Sequence, residues 1–350
     1  MKTIKSIALL FAAMAFIATG FSSCTPDDGG KTEKADLTEL NAAIAECEAA
    51  LTDAEGQYPA DAIATLQGLV NTAKAAAAKD LSQTAADNLA QQLTAALATF
   101  EATKLEAIPA NALAFALSFD EGQGTSLTTT GAYQWTAALM PSWDNTGAAP
   151  VFVDGKKGKA LQFADGGHIE ISNYAKNVLL SKEFSISAWL KVNEANNANF
   201  VVSYNSYNTW KFNVPTHGKP FFTVATVNGI VDMDNETEQS VPVGTWAHVT
   251  ISCNTTVGEV SFYVNGAHTK TWTTETKGGG LQGDIKEPTV EELALCIGAE
   301  HPNASISGFD WVTPESPYGS YFRGIIDEFQ FYNVALTAGQ AAALYNTYAE

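Results

Sequence analysis

The sequence changes character at Ile108-Pro109-Ala110, and this change constrains the fold more than any other feature. Residues 34–104 are rich in Ala and poor in Gly, Pro and aromatic residues, whereas Val, Thr, Phe, Tyr, Trp and Gly are frequent afterwards. Ala favours helices, and β-branched and aromatic residues favour strands. A chain of 350 residues is long enough for two domains that each bury a core. The sequence therefore predicts an all-α domain followed by an all-β domain.

The first domain contains three helical stripes. In each stripe, apolar residues recur at spacings of three and four, which places them on one helix face. The stripes are Leu37, Leu40, Ile44, Cys47 and Leu51; Ile63, Leu66, Val70, Ala73 and Ala77; and Leu89, Leu93, Leu97 and Phe100. Short connections between such helices predict an antiparallel three-helix bundle over residues 34–105. The segment resembles the FIVAR-type helical spacer modules of bacterial surface proteins, which implies a spacer; a helical binding module is the alternative.

Residues 1–23 have the pattern of an export signal. Two lysines precede an apolar run over residues 7–17 that is too short to cross a bilayer as a helix. The run Phe21-Ser22-Ser23-Cys24 resembles the lipobox of bacterial lipoproteins, which implies lipidation of Cys24 and a membrane anchor; an ordinary secretory peptide is the alternative. Residues 24–33 are expected to form a flexible tether. An acidic pair in the tether resembles the surface-export signal of some Gram-negative lipoproteins, which implies exposure on the outer membrane; a merely solvated linker is the alternative.

The net charge of the chain excludes some classes of binding partner. Lys and Arg total 19 against 38 Asp and Glu, a net charge of −19 that would repel nucleic acid and anionic lipid surfaces. The same charge is compatible with binding of calcium or of neutral sugars.

The cysteines do not form a recognisable metal or redox motif, because Cys47, Cys253 and Cys296 fit no zinc or CxxC spacing. Each is interpreted as a small buried apolar residue, with a Cys253–Cys296 disulfide as the alternative.

The second domain, residues 110–350, is a succession of short strand patterns. In residues 184–192, Phe184, Ile186, Ala188, Leu190 and Val192 alternate with Ser185, Ser187, Trp189 and Lys191, and Asn265-Gly266 between two strand patterns is a strong hairpin signal. About a dozen such strands without intervening helices predict an antiparallel sandwich or jelly roll. Thr337 is expected to cap a short closing helix that ends at Tyr348.

Six motifs in this order resemble the laminin-G-like, concanavalin-A-like jelly roll of bacterial surface proteins. They are Phe119-Asp120-Glu121-Gly122, residues 158–163 with 168–171, residues 184–191, Trp246-Ala247-His248-Val249, residues 262–266 and residues 322–329. The resemblance implies binding of carbohydrate or of a protein ligand, often beside a structural calcium ion.

Asp327 and Asp120 are the expected calcium ligands. In a regular strand Asp327 would share a face with Phe329 and Phe331, where an unpaired carboxylate is costly. Calcium bound by Asp327, and by Asp120 in the opening loop, would supply the partner, as the resemblance implies. The alternative is that Asp327 accepts hydrogen bonds from backbone N–H groups or pairs with Arg323. The oxygen-rich run 232–236 fails the EF-hand pattern and is expected to be a solvated turn.

Aromatic residues in loop-like segments are the candidate ligand-binding residues. Sugar binding needs aromatic faces bordered by amide and hydroxyl groups, and Tyr204, Tyr207 and Trp210 lie in a stretch with that mixture. Trp311, in a later insert, is the fourth candidate. The alternative for Trp210 is that it begins a strand and belongs to the core.

The sequence predicts that the protein is not an enzyme. Glycoside hydrolysis needs two carboxylates that face each other across the substrate, and the adjacent Asp327 and Glu328 are expected on opposite faces of a strand. The GxSxG, HExxH and phosphate-binding glycine motifs are absent from the sequence. We therefore predict a non-enzymatic surface lipoprotein that binds carbohydrate or another extracellular ligand. A glycoside hydrolase and a passive structural or adhesive module are the alternatives.

Overall fold

The computed structural model describes residues 34–197, 199–288, 293–306 and 320–348. The chain divides into two compact units, with the boundary between Lys104 and Leu105. Each unit has its own buried cluster of apolar side chains. No helix in the described ranges combines the length and the apolar character that crossing a membrane requires.

The described part of the first unit forms three helices, as predicted. They are α1 (Thr38–Leu51), α2 (Ala60–Ala77) and α3 (Gln83–Glu101). The Ser82 hydroxyl caps α3 by accepting a hydrogen bond from the Ala85 N–H at 3.3 Å. The buried side chains are few and often small, and Phe100 is the largest helical contributor, stacked on Tyr58 at 4.1 Å. The bundle core is therefore thin.

The second unit is an antiparallel β-sandwich, which confirms the predicted fold class. Its described strands are β1 (Leu113–Leu117), β2 (Ser126–Thr128), β3 (Thr136–Met140), β4 (Val151–Asp154), β5 (Lys159–Phe163), β6 (His168–Ile171), β7 (Glu183–Val192), β8 (Phe200–Tyr204), β9 (Trp210–Asn213), β10 (Phe221–Thr226), β11 (Gly229–Asp234), β12 (Trp246–Asn254), β13 (Glu259–Val264), β14 (Ala267–Thr273), β15 (Leu295–Ile297) and β16 (Gly324–Tyr332). Four short helices accompany them: α4 (Lys176–Leu179), α5 (Thr274–Lys277), α6 (Asn303–Ile306) and α7 (Ala338–Tyr348).

These strands form two sheets. The first has the order β14-β13-β12-β7-β16-β5-β4, with β1 also paired to β16. The second has the order β11-β10-β9-β8-β15-β6-β3-β2. Alternate residues of each strand point inward, where Phe184 of the first sheet lies 5.5 Å from Trp210 of the second. In both sheets we call the face directed away from this core the outer face.

Two local predictions are confirmed. Asn265 and Gly266 both have positive φ, 51° and 75°, and join β13 to β14 as a tight hairpin. The Thr337 hydroxyl accepts a hydrogen bond from the Gln340 N–H at 3.2 Å and caps α7.

The three described cysteines are free and buried. Cys47 lies in the bundle core, Cys253 lies in the sandwich core, and Cys296 lies in β15 between the core residues Leu295 and Ile297. No Cys253–Cys296 disulfide forms in this arrangement.

Candidate functional site

Two of the predicted aromatic ligand-binding residues are core residues, which corrects the prediction. Tyr204 and Trp210 have no exposed surface. They pair across β8 and β9, where alternation directs both side chains into the core. The Trp210 indole donates its Nε1–H to the Leu179 carbonyl at 2.8 Å. Neither ring is available to a sugar, and Trp311 lies outside the described residues.

Tyr207 is the predicted residue that remains at the surface. It lies on a 3₁₀ turn, Ser206–Asn208, between β8 and β9, and 47% of its surface is exposed. The Lys211 ammonium lies 4.4 Å from the centre of its ring. An exposed aromatic ring held by a cation is therefore available for ligand contact.

The turn that carries Tyr207 is strained and incompletely hydrogen-bonded. Asn205 and Ser206 have φ of 58° and 47°, in the left-handed region that Asn tolerates better than Ser. The buried Asn205 Nδ2 and Thr209 Oγ1 atoms have no hydrogen-bond partner. Strained backbone and unsatisfied buried polar groups lower stability and are concentrated at functional sites. This turn is therefore a candidate binding element.

Lys211 is a buried cation beneath the turn. Only 1% of its surface is exposed, and its ammonium lies 5.2 Å and 4.5 Å from the ring centres of Phe200 and Phe221. It donates to the Asn213 Oδ1 at 2.9 Å. Burial lowers the pKa of Lys211 to about 8, although the negative charges of Asp232 and Glu300 oppose this shift.

Two carboxylates flank this lysine. Asp232 Oδ1 accepts a hydrogen bond from the Thr223 hydroxyl at 2.6 Å, and Glu300 Oε1 accepts one from the Ser206 hydroxyl at 2.6 Å. Burial raises the pKa of Tyr207, and the charges of the same two carboxylates raise it further. We call the following six residues the Lys211 cluster: Ser206, Tyr207, Lys211, Thr223, Asp232 and Glu300.

The cluster is one end of a polar row across the outer face of the second sheet. The register joins, from edge to centre, Asp232, Thr223, Lys211, Ser203, Cys296 and Glu170. At the Glu170 end the row is covered, because the Asn303 N–H donates to Glu170 Oε1 at 2.7 Å and Cys296 has no exposed surface. At the other end Asp232 and Ile230 are exposed. The accessible end of the row is therefore Asp232, which belongs to the Lys211 cluster.

The predicted calcium ligands accept hydrogen bonds from the backbone of the Gly155–Lys159 turn. Asp327 Oδ2 accepts from the Lys156 and Lys157 N–H groups at 2.7 Å and 3.1 Å. Asp120 Oδ1 accepts from the Lys159 N–H at 2.9 Å. Calcium needs six to eight oxygen ligands, and N–H donors directed at these carboxylates compete with a cation. Among the described residues, no group of three or more His, Cys, Asp or Glu side chains is placed to hold a metal ion. A calcium ion at Asp327 and Asp120 stays a prediction.

A β-bulge in β16 overturns the predicted orientation of its acidic residues. Asp327 pairs with Trp189, but the next pair is Gln330 with Ser187, so β16 has one extra residue, and Glu328 has φ of 48°. Phe329 and Phe331 consequently belong to the core. Asp327 lies on the outer face and does not share a face with them. Beyond the bulge the strict alternation that placed Asp327 and Glu328 on opposite faces no longer applies.

Sequence reasoning missed Lys211, Asp232 and Glu300. A signal for Lys211 exists, because the alternation Trp210-Lys211-Phe212 places a cation between two core residues. Asp232 was expected in a solvated turn but lies in β11, where it alternates with the core residues Val231 and Met233. Glu300 has no local signal, since only the folded chain brings it to Ser206.

Known proteins resemble the second unit. Residues 163–342 match the family described as the concanavalin A-like lectin/glucanases superfamily. No curated protein matches the chain.

Three solved structures illustrate the similarity. One is domain 4 of AbnA, a GH43 extracellular arabinanase from Geobacillus stearothermophilus, in complex with arabinotriose; it is 20% identical over 67% of this chain and 98% of that chain, with a TM-score of 0.46. The binding domain of Paraclostridial Mosquitocidal Protein 1 is 17% identical over 66% and 53%, with a TM-score of 0.44. The botulinum neurotoxin serotype D binding domain is 15% identical over 68% and 52%, with a TM-score of 0.47. This chain spans about half the length of the two toxin structures.

The family match covers the Lys211 cluster and most of the sandwich core. The matched residues, 163–342, also include Asp327, whereas Asp120 precedes them. They make up slightly more than half of the 350-residue chain. The chain belongs to the concanavalin A-like lectin/glucanase superfamily.

Proposed function

We propose that the sandwich binds carbohydrate at the Lys211 cluster and does not cleave it. The observation that carries this proposal is the exposed ring of Tyr207, held over Lys211 and bordered by Asp232 and Glu300. An aromatic face can pack against the C–H surface of a sugar. The two carboxylates can accept hydrogen bonds from its hydroxyl groups.

The alternative within the same family is a glycoside hydrolase. Two carboxylates act on one lysine in this cluster, and hydrolysis also uses two carboxylates. Both are, however, already hydrogen-bonded to hydroxyl side chains of their own chain. Incubation of the protein with each bound glycan, followed by chromatography, separates the two functions: shortened products would establish a hydrolase and contradict our proposal.

A glycan-array screen of the full chain tests the binding site. We expect binding to at least one carbohydrate and loss of that binding in Tyr207→Ala. Val243→Ala is the matched control, because Val243 is equally exposed, at 47%, and does not belong to the cluster. Equal binding by Tyr207→Ala and the wild type would place the site elsewhere. Absence of all binding by the folded chain would favour a passive module or a protein ligand.

We further propose that Cys24 is lipidated and anchors the protein on the outer membrane, with residues 24–33 as tether and the bundle as spacer. The support is the Phe21-Ser22-Ser23-Cys24 run and the acidic tether. Metabolic labelling with radioactive palmitate is expected to label the wild type and not Cys24→Ala. Protease treatment of intact cells is expected to degrade the protein, whereas protection would indicate a periplasmic orientation.

A further inference from the structure

We infer that the carbohydrate site at the Lys211 cluster selects neutral glycans and rejects uronate, sialylated and sulfated ones. This inference rests on the proposed function and names its ligand class. It follows from where the charges of the cluster lie and from which of them a ligand meets first.

The negative charges lie at the accessible side. Asp232 is exposed and the Glu300 side chain is 13% exposed, whereas Lys211, the cation of the cluster, is 1% exposed and already donates to Asn213. The ammonium is also surrounded by three aromatic rings. An anionic group of a ligand would therefore meet Asp232 without reaching Lys211. At close range, juxtaposed like charges are an effective means of rejecting a wrong partner.

Two of the three lysines near Asp232 form ion pairs with the acidic residues that follow it, and the third is held by a backbone carbonyl oxygen and an aromatic ring. Lys219 lies 3.9 Å from Asp234, and Lys270 forms an ion pair with Glu236. Lys277 donates to the Asp232 carbonyl oxygen at 2.8 Å and lies 4.1 Å from the Trp272 ring. The net charge of the whole chain, −19, adds to the repulsion of anionic ligands.

A neutral glycan suits the same groups. Its hydroxyl groups donate hydrogen bonds, and carboxylates are acceptors only. Its C–H faces match the exposed ring of Tyr207 and the exposed side chain of Ile230, which is 53% exposed on the same outer face. The site therefore offers acceptors and apolar surface, and the lysines described beside it already contact carboxylates, a backbone carbonyl oxygen or aromatic rings of the protein.

The test compares the affinity of the full chain for matched neutral and acidic glycans. The probes are galactose, glucose and mannose trisaccharides and their uronate counterparts, which differ only in oxidation at C6, beside an array that carries neutral, sialylated and sulfated glycans. We expect array binding that depends on Tyr207 to be confined to neutral glycans. In calorimetry, the acidic member of a bound pair is expected to bind at least about tenfold more weakly. Tyr207-dependent binding of an acidic glycan with equal or higher affinity would overturn the inference.

Two further measurements show whether charge is the cause. In the isosteric double variant Asp232→Asn with Glu300→Gln, the ratio of neutral to acidic affinity is expected to fall. For the wild type, raising the salt from about 0.05 M to about 0.5 M should lower the same ratio, because salt screens exposed charges. A ratio unchanged in both measurements would contradict the inference while leaving carbohydrate binding intact. Absence of any carbohydrate binding would instead contradict the proposed function.

Discussion

Lys211 lies between two core residues of β9, and its own side chain is buried on the opposite face of the strand. Its pKa is lowered from 10.5 to about 8 by burial, so the folded chain releases this proton more readily than the unfolded chain does. Between pH 8 and pH 10.5 the unfolded state therefore binds more protons, and the free energy of unfolding rises with pH in this window. Below pH 8 the full cost of the buried charge is present.

The variant Lys211→Met is expected to lack this pH-dependent rise. The free energy of unfolding of the wild type should increase relative to the variant by up to about 3 kcal/mol across the window. Urea unfolding of both proteins at several pH values measures the difference, in which the other titrating groups cancel. Parallel curves for the two proteins would show that Lys211 does not titrate in this way.

Asp327 is a second buried titratable group. Burial raises its pKa from 3.8 to about 6, although hydrogen bonds from three backbone N–H groups oppose this shift. Because these donors compete with a cation, we expect neither calcium nor a chelator to change the melting temperature of the full chain. A melting temperature that rises with calcium in the wild type and not in Asp327→Asn would establish the calcium site that the family resemblance implies.

At the scale of elements, Glu328 in the bulge of β16 is buried beside its neighbour Asp327. Burial raises the pKa of Glu328 from 4.5 to about 7, and the charge of Asp327 adds to this shift. The folded chain then holds the proton more tightly than the unfolded chain, so the stability that this group contributes is complete below pH 4.5 and is lost as pH rises to about 7.

Glu328→Gln should remove this loss, because an amide does not ionise. We expect the variant to exceed the wild type in free energy of unfolding by up to about 3 kcal/mol at neutral pH and by much less near pH 4.5. Glu183→Gln is the control, since Glu183 lies at the half-buried start of β7 and outside the bulge of β16. A constant difference between variant and wild type across this range would contradict the shifted pKa of Glu328.

Strands could be predicted where apolar side chains recur regularly at every second residue. The site residues could not be predicted where irregular backbone interrupts that pattern. The period-two pattern of residues 184–192 predicts β7, and Asn265-Gly266 predicts the β13–β14 hairpin. The bulge at Glu328 has one residue with positive φ and the turn at Asn205 and Ser206 has two, and no residue type there requires this backbone. The bulge places Asp327 on the face of the sheet opposite to the expected one. The turn separates exposed Tyr207 from buried Tyr204 and Trp210.

At the scale of the whole molecule, composition alone separated the two units, because the change at Pro109 lies close to the observed boundary at Lys104. The relation of Glu300 to Lys211 could not be predicted in the same way. It depends on the order of strands in the second sheet, where β15 lies beside β8 although many residues separate them in sequence. Local patterns therefore predict the cores, whereas the long-range strand order creates the site.

Two separate cores predict two separable unfolding transitions. Leu93 is 2% exposed in the bundle core, and its truncation to Ala should cost about 2 to 5 kcal/mol there. Because the bundle core is thin, Leu93→Ala is expected to lower or abolish the bundle transition in calorimetry and leave the sandwich transition unchanged. Leu190→Ala, in the sandwich core, is the reciprocal control. Glycan binding should survive the first substitution and weaken with the second. A single transition shifted equally by both would show that the two units unfold as one.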